Sequence, residues 1–341
     1  MIHDIEAVQG LVQEGVAHRT YPGAVWAAGD RTGSLTGGVC GTLDGTEPMP
    51  AGTVFDIASL TKVTAVWAAL GCLWKTGRLP LDDALGTFWT EVAGHPLGQV
   101  TARQLLTHSA GVPLRANLRN SYGTDGAAVR AGVLQEALHR LPGEAVEYTD
   151  RAALVLGYLA EYLTGTTLDQ LASQTVWKPL GMSETRFGPV PPDMVRRCAP
   201  TEVDEATGQP LRGTVHDFSA RLLGGVCGIA GVFSTVEDIA LFATALLNAD
   251  HTPFGAEWVR ASLSIQTGDL TPPRGLFWHP APGADPADDV WVHYGFTGTG
   301  LWVSPGLGTW AALFTNKLYY SRDREPLAKV RGDFRAALFT P

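Results

Sequence analysis

Apolar positions change their period several times along the chain, and each change marks an element. Ile5, Val8, Leu11, Val12 and Val16 recur at helical spacing and predict an amphipathic helix at the start. Residues 23–28 read as a strand, 29–33 as a turn and 34–40 as the second arm of a hairpin. Residues 53–58 lead into a helix that starts near Ser59 and runs to about Lys75. Val63, Ala65, Val66, Trp67, Leu70, Leu73 and Trp74 make that helix apolar on nearly every side, which places it inside the molecule. Gly77 stops it and Pro80 follows. Residues 80–245 read as mostly helical, with helical spacing at 152–163, 168–176 and 236–247, the last capped by Ser234 or Thr235. A loop rich in Pro, Gly and Asp spans 271–289. Beyond it, 293–303 and 308–316 alternate and read as two strands joined by a turn at 304–308, and 327–338 closes as a helix.

This order predicts an α+β fold: an antiparallel sheet built from both chain termini and flanked by helices, with a mostly helical inserted domain. The expected domains are 1–58 with 246–341 as an α/β sandwich, and 59–245 as a mainly helical domain carrying the helix at Ser59 and the loop at Tyr148.

Composition narrows the function classes. The 341 residues carry a net charge of −9, which argues against a nucleic-acid partner. No run approaches the ~18 apolar residues of a membrane span. The N-terminus has acids early and no basic region ahead of an apolar core, so it does not read as a signal peptide, and a cytoplasmic location is expected. The four cysteines (40, 72, 198, 227) form no CxxC pair and read as small core residues, not as disulfides or metal ligands. Only five of the 25 basic residues are lysines, so each lysine near a candidate nucleophile carries weight.

One such lysine stands in Ser59-Leu60-Thr61-Lys62. A serine at a helix start meets free backbone N–H groups and the positive end of the dipole. A lysine at i+3 shares its face, and burial there drives an ammonium toward its neutral, basic form, able to take a serine proton. Chance alone would yield this spacing about 0.2 times, given twelve serines and five lysines. The bland alternative is a capping serine beside a snorkelling lysine.

Context separates the two. Phe55-Asp56-Ile57-Ala58-Ser59-Leu60-Thr61-Lys62 resembles the nucleophile segment of the serine β-lactamase and penicillin-binding protein superfamily. It is most similar to the branch holding class C β-lactamases and their esterase relatives. Tyr148-Thr149-Asp150 stands where that family carries Tyr-x-Asn, and His293-Tyr294-Gly295 where it carries Lys-Thr-Gly or His-x-Gly on a late strand. The stretches 105–113 and 224–235 also look like the family, and the resemblance covers about 20–320. A literal Lys75-Thr76-Gly77 is a decoy, because it lies ~24 Å along the helix from Ser59 at 1.5 Å per residue.

The resemblance implies a β-lactamase/transpeptidase-like fold and a Ser59 acyl-enzyme, with Tyr148 and Lys62 handling the serine proton. It implies an oxyanion hole from the N–H groups of Ser59 and Phe296, and substrate contacts from Asp150, His293, Tyr294 and Gly295. No cofactor, metal or obligate protein partner is implied, only a small-molecule acyl substrate.

Two departures matter. Asp150 replaces the usual Asn; if it touches Lys62, it favours the charged form and shifts the burden of base to Tyr148. His293 replaces a lysine and is largely neutral near pH 7, which leaves less positive charge for a carboxylate and favours a neutral ester or amide. His108 reads as a loop-ordering residue, His216-Asp217 as loop hydrogen bonding or a cleft border, and Trp278 and His279 as candidate pocket lining.

The leading expectation is a carboxylesterase-like serine hydrolase. A β-lactamase or D-amino-acid peptidase on the same machinery is the second, and a catalytically silent binding module of the same fold the third. No Gly-x-Ser-x-Gly elbow, His-Glu-x-x-His helix or phosphate loop points elsewhere.

Overall fold

A computed structural model describes residues 4–114, 118–204 and 207–339. Its main sheet has six antiparallel strands in the order β2-β1-β9-β8-β7-β6. These are β1 (Gly23–Asp30), β2 (Leu35–Gly41), β6 (His279–Pro280), β7 (Trp291–Tyr294), β8 (Thr299–Ser304) and β9 (Thr309–Thr315). The chain ends meet where β1 pairs with β9, from Ala24 opposite Thr315 to Asp30 opposite Thr309.

Strand β1 is buried on both faces, and side-chain alternation divides its residues between two cores. Ala24, Trp26 and Ala28 point to a smaller core made with α1 (Ile5–Ala17) and α5 (Glu325–Phe339). There the Trp26 ring meets Phe334 edge-on at 6.0 Å. Val8 and Val12 of α1 are fully buried against it, each stabilising the docked helix by about 2 kcal/mol. Val25 and Ala27 face the larger core, which is continuous with the helical region. Helix α4 (Val236–Leu247) lies across β1, β8 and β9 on that side, although its number places it in the middle of the chain. Its cap is Thr235, whose Oγ1 accepts from Asp238 N at 3.2 Å.

The stretch 293–303, which alternates like one strand, is two. Gly298 N donates to Gly295 O at 3.2 Å, with Gly298 at φ +119°, and the chain reverses between β7 and β8. Only glycine holds that conformation without strain. A second sheet, β3-β5-β4, joins β3 (Phe55–Asp56), β4 (Arg186–Phe187) and β5 (Val232–Ser234). It delivers the chain to Ser59. From there a short 3₁₀ turn (Ala58–Leu60) widens into π-helical turns (Lys62–Trp67) and continues as α2 (Ala68–Lys75). All of 60–71 is buried, with Trp67 packed among Phe242, Phe254, Trp258 and Trp278. Lys75 at the far end donates to Thr252 O at 2.9 Å, so the decoy triplet serves to close the helix. Helix α3 (Asp150–Thr164) starts directly after Tyr148, capped by Thr149, and ends at Gly165 with φ +69°. No helix among the described residues is long and apolar enough to cross a membrane.

Candidate active site

The nucleophile turn is built on strain. Ala58, just before Ser59, has φ +47°, a left-handed conformation that costs a non-glycine residue ~1–2 kcal/mol. Asp56 holds it there: Oδ1 accepts from Ala58 N at 2.9 Å and Oδ2 from His216 N at 2.8 Å. Burial pushes the Asp56 carboxyl up to about 6, against the pull of those two N–H groups.

Lys62 is fully buried one turn beyond. Its Nζ donates to Ser59 Oγ at 2.9 Å and Ile229 O at 2.8 Å, and pairs with Asp150 Oδ1 at 2.8 Å. Burial alone would push this ammonium toward neutrality, but Asp150 and Tyr148 more than offset it and raise Lys62 above the ordinary lysine range. Its three acceptors, one of them the Asp150 carboxylate, favour the ammonium, which is the outcome expected if Asp150 touches Lys62.

Tyr148 reaches the same oxygen, its hydroxyl donating to Ser59 Oγ at 3.1 Å. His108 orders this loop. Its ring lies 4.6 Å from the Tyr148 ring, its carbonyl accepts from Glu147 N at 2.8 Å, and its Nδ1 accepts from Thr149 N at 3.4 Å.

The third segment closes the site. His293 is buried, and its Nδ1 donates to Phe277 O at 2.7 Å, leaving Nε2 as the acceptor nitrogen. Burial first, then the Lys62 charge, hold it neutral well below its ordinary range. Tyr294 points to the other face of the sheet, edge-on to Trp302 and under the Arg331 guanidinium at 4.2 Å. Gly295 has no room for a side chain, since a Cβ would lie 2.0 Å from Thr299 Oγ1 and 2.5 Å from Ile57 O. Thr297 Oγ1 donates to Asp56 O at 2.7 Å and Thr299 Oγ1 to Ile57 O at 3.1 Å. These two bonds tie the turn carrying Phe296 to the turn carrying Ser59.

Ser59, Tyr148, His293, Tyr294, Gly295 and Phe296 line one cavity of about 530 Å³. Asp150 instead borders a larger cavity of about 970 Å³ with Asp217, Phe218 and Ile229. Lys62 sits between the two, bonded to Ser59 on one side and to Asp150 and Ile229 on the other. His279 lines the smaller cavity, whereas Trp278 is fully buried beneath it and edge-on to His293. His216 packs on the Phe296 ring at 5.5 Å, and Asp217 caps a short helix through Ala220 N at 2.8 Å.

Sequence reasoning missed the basic residues here. Arg274, Lys317, Arg324 and Arg331 all line the smaller cavity, so the low positive charge expected from His293 is corrected by residues outside the three motifs. Burial and the neighbouring Arg331 pull the Lys317 ammonium down to about 8. The signal that could have pointed to them is the run of basic residues from 317 to 331. Among the described residues no cluster of His, Cys, Asp or Glu could hold a metal ion.

A serine bonded to a buried lysine and a tyrosine, beside a late strand that crosses its turn, defines a hydrolase of the serine β-lactamase fold. The family model described as Beta-lactamase matches residues 8–335, and the chain belongs to that family. The chain is 30% identical over 303 residues to a protein of Escherichia coli (strain K12) named "Putative D-alanyl-D-alanine carboxypeptidase", covering 78% of this chain and 69% of that one. Its fold is similar to unliganded simvastatin synthase (LovD) from Aspergillus terreus, with a TM-score of 0.78 at 20% identity over 99% and 98% of the two chains. It is similar also to a class C beta lactamase from Rhodobacter sphaeroides, with a TM-score of 0.76 at 17% identity over 96% and 97%.

Proposed function

We propose that the chain hydrolyses small acyl esters through a Ser59 acyl-enzyme. The observation that carries this reading is the placement of Ser59 Oγ 2.9 Å from Lys62 Nζ and 3.1 Å from the Tyr148 hydroxyl, in the wall of a cavity. In the reacting form Tyr148 is a phenolate held by the adjacent Lys62 ammonium; it takes the Ser59 proton as Oγ attacks the acyl carbon, and the negative charge passes to the former carbonyl oxygen. The N–H groups of Ser59 and Phe296 hold the tetrahedral oxyanion. As the intermediate collapses, Tyr148 returns the proton to the leaving oxygen. Water then repeats the sequence on the acyl-enzyme, releasing the acid and restoring Ser59. Asp150 keeps Lys62 charged throughout, and His293 forms part of the wall as a neutral group.

A β-lactamase or D-amino-acid peptidase reading uses the same residues, and it is favoured by the name of the Escherichia coli relative. The deciding experiment incubates the protein and its Ser59→Ala variant with p-nitrophenyl acetate and butyrate, nitrocefin, and a D-alanyl-D-alanine peptide. Ser59-dependent ester turnover with little on the other two supports the esterase. Faster turnover of nitrocefin or peptide moves the reading to those classes, and activity that survives in Ser59→Ala overturns it entirely.

A further inference from the structure

The Phe296 N–H belongs to the peptide that joins Gly295 to Phe296, and the two ends of that peptide face different partners. The peptide is trans, since the cis bonds of the described residues are Gly188–Pro189 and Thr271–Pro272. Its C=O and N–H therefore point in opposite directions. At the carbonyl end, Arg331 Nη2 donates to Gly295 O at 3.0 Å. At the other end, no group among the described residues accepts from Phe296 N, and both residues line the Ser59 cavity. The second hydrogen of the same Arg331 nitrogen goes to Thr299 O at 2.6 Å, which also accepts from Gly295 N at 2.8 Å. One nitrogen carried by α5 thus clamps both sides of the turn between β7 and β8.

A clamp of that kind needs only a neutral donor, yet Arg331 is charged and its setting makes the charge costly. No carboxylate among the described residues pairs with it, and Arg324 and Lys317 are like-charged neighbours. Burial brings its guanidinium down to about 10, with Arg324 adding to the effect, so it remains a cation at neutral pH. A partly buried cation among cations is disfavoured in the resting protein, and negative charge developing nearby relieves it. The tetrahedral intermediate supplies that charge one peptide away. We propose that Arg331 is a positioning residue for the acyl-transfer step: through Gly295 O it polarises the Gly295–Phe296 peptide and fixes the Phe296 N–H on the oxyanion. This rests on Ser59 being the nucleophile and Phe296 N–H an oxyanion donor. Hydrogen bonds in a chain strengthen one another, so a charged donor on the carbonyl makes the N–H at the far end a stronger donor. Arg331 touches no reacting atom in this role, and it acts on neutral and charged substrates alike.

The test uses p-nitrophenyl acetate, which carries no charge for an arginine to bind, on wild type, Arg331→Lys, Arg331→Gln and Arg331→Met. Removing an oxyanion donor outright costs about 10²–10³ in kcat, and weakening one is expected to cost about tenfold in Arg331→Gln and Arg331→Met, with KM within about twofold of wild type. Arg331→Lys should keep most of the rate at neutral pH and lose it at a lower alkaline pH than wild type, because a partly buried ammonium gives up its proton before a guanidinium does. The same variants are titrated with phenylboronic acid, whose tetrahedral adduct on Ser59 puts an oxygen in the hole, with Ser59→Ala as the control. Boronate affinity should fall by the same factor as kcat. Unchanged kcat in Arg331→Gln and Arg331→Met overturns the proposal, as does a loss confined to KM. So does a wild-type pH profile in Arg331→Lys, which would make the side chain a clamp whose charge is idle. Esters left intact by wild type would sink the esterase reading and leave the boronate series to decide the role of Arg331. Boronate binding that is then absent, or indifferent to Ser59→Ala, overturns both. Thermal melting of each variant confirms that the fold persists, and Arg331→Lys and Arg331→Gln carry the test if Arg331→Met does not fold.

Discussion

At the scale of residues, Lys62 spends its three ammonium hydrogens on Ser59 Oγ, Ile229 O and Asp150 Oδ1. Were Asp150 an amide, one of these contacts would lose its charge, and burial would pull the lysine down unopposed by a carboxylate. Asp150→Asn is therefore expected to lower the pH at which Lys62 gives up its proton. If the ammonium form is the active one, the alkaline limb of kcat/KM against pH moves to lower pH in that variant. An unchanged alkaline limb would mean that Asp150 does not govern the lysine. Tyr148→Phe removes the hydroxyl that, among the described residues, reaches Ser59 Oγ, and a loss of about 10²–10⁴ in kcat is expected. A near-normal rate would remove Tyr148 from proton transfer. The serine, lysine and tyrosine were legible because one helical turn joins the first two and a helix start marks the third. The charge on Lys62 was legible only as a condition, since its deciding carboxylate comes from a different helix and the contact had to be seen. Arg274 belongs to no motif, and nothing in its neighbours announces a cavity.

At the scale of elements, the site depends on how closely α3 approaches the segment behind Lys62. Gly228 precedes Ile229, whose carbonyl holds the ammonium, and a Cβ there would lie 2.0 Å from Ala153 O and 3.3 Å from Val66 Cγ2. Helix α3 meets it with a glycine of its own, Gly157, whose added Cβ would come 3.2 Å from Gly228 N. Gly228→Ala must push α3 and the Ile229 carbonyl apart, and with them Asp150 from Lys62. A loss of about 1–3 kcal/mol in stability and a fall in kcat are expected, read by denaturant unfolding and ester turnover. Gly10 gives the contrast. It lies exposed inside α1 with nothing within 4 Å of an added Cβ, so Gly10→Ala should stabilise by about 0.5–1 kcal/mol. If both variants lose stability alike, close approach is not what Gly228 is for. Periodicity revealed the helices because one face of each is apolar. It hid the hairpin at Gly295–Gly298, because both arms are buried and the alternation continues through the turn.

At the scale of the whole molecule, the site is assembled from segments far apart in sequence and closed by burial, and that burial includes four neutral imidazoles. His108 and His293 are held well below the ordinary histidine range, and His216 and His279 near about 4, each chiefly by burial. The unfolded chain protonates these groups near ~6.5, whereas the folded protein resists until about 4 or lower. Between those values the unfolded state binds more protons, so stability falls as pH drops, by up to ~1.4 kcal/mol per pH unit for each histidine. Asp56 works the other way. Its folded value of about 6 lies above its unfolded one, so its contribution is fully present in acid and is lost as pH rises through 6. Asp217, Asp238 and Glu161 are raised in the same direction by burial, but by smaller amounts, so the four bases prevail: the unfolding free energy is expected to drop from pH 6.5 to 4.5. Denaturant melts across that range measure it, and His279→Gln should lower the slope by about one proton, because that variant has nothing left to titrate there. A flat profile, or greater stability at pH 4.5, would mean that these imidazoles are already protonated in the folded protein. The same cluster borders Tyr148 and the Ser59 cavity, so the acid limit of the fold and the acid limit of the site come from the same groups.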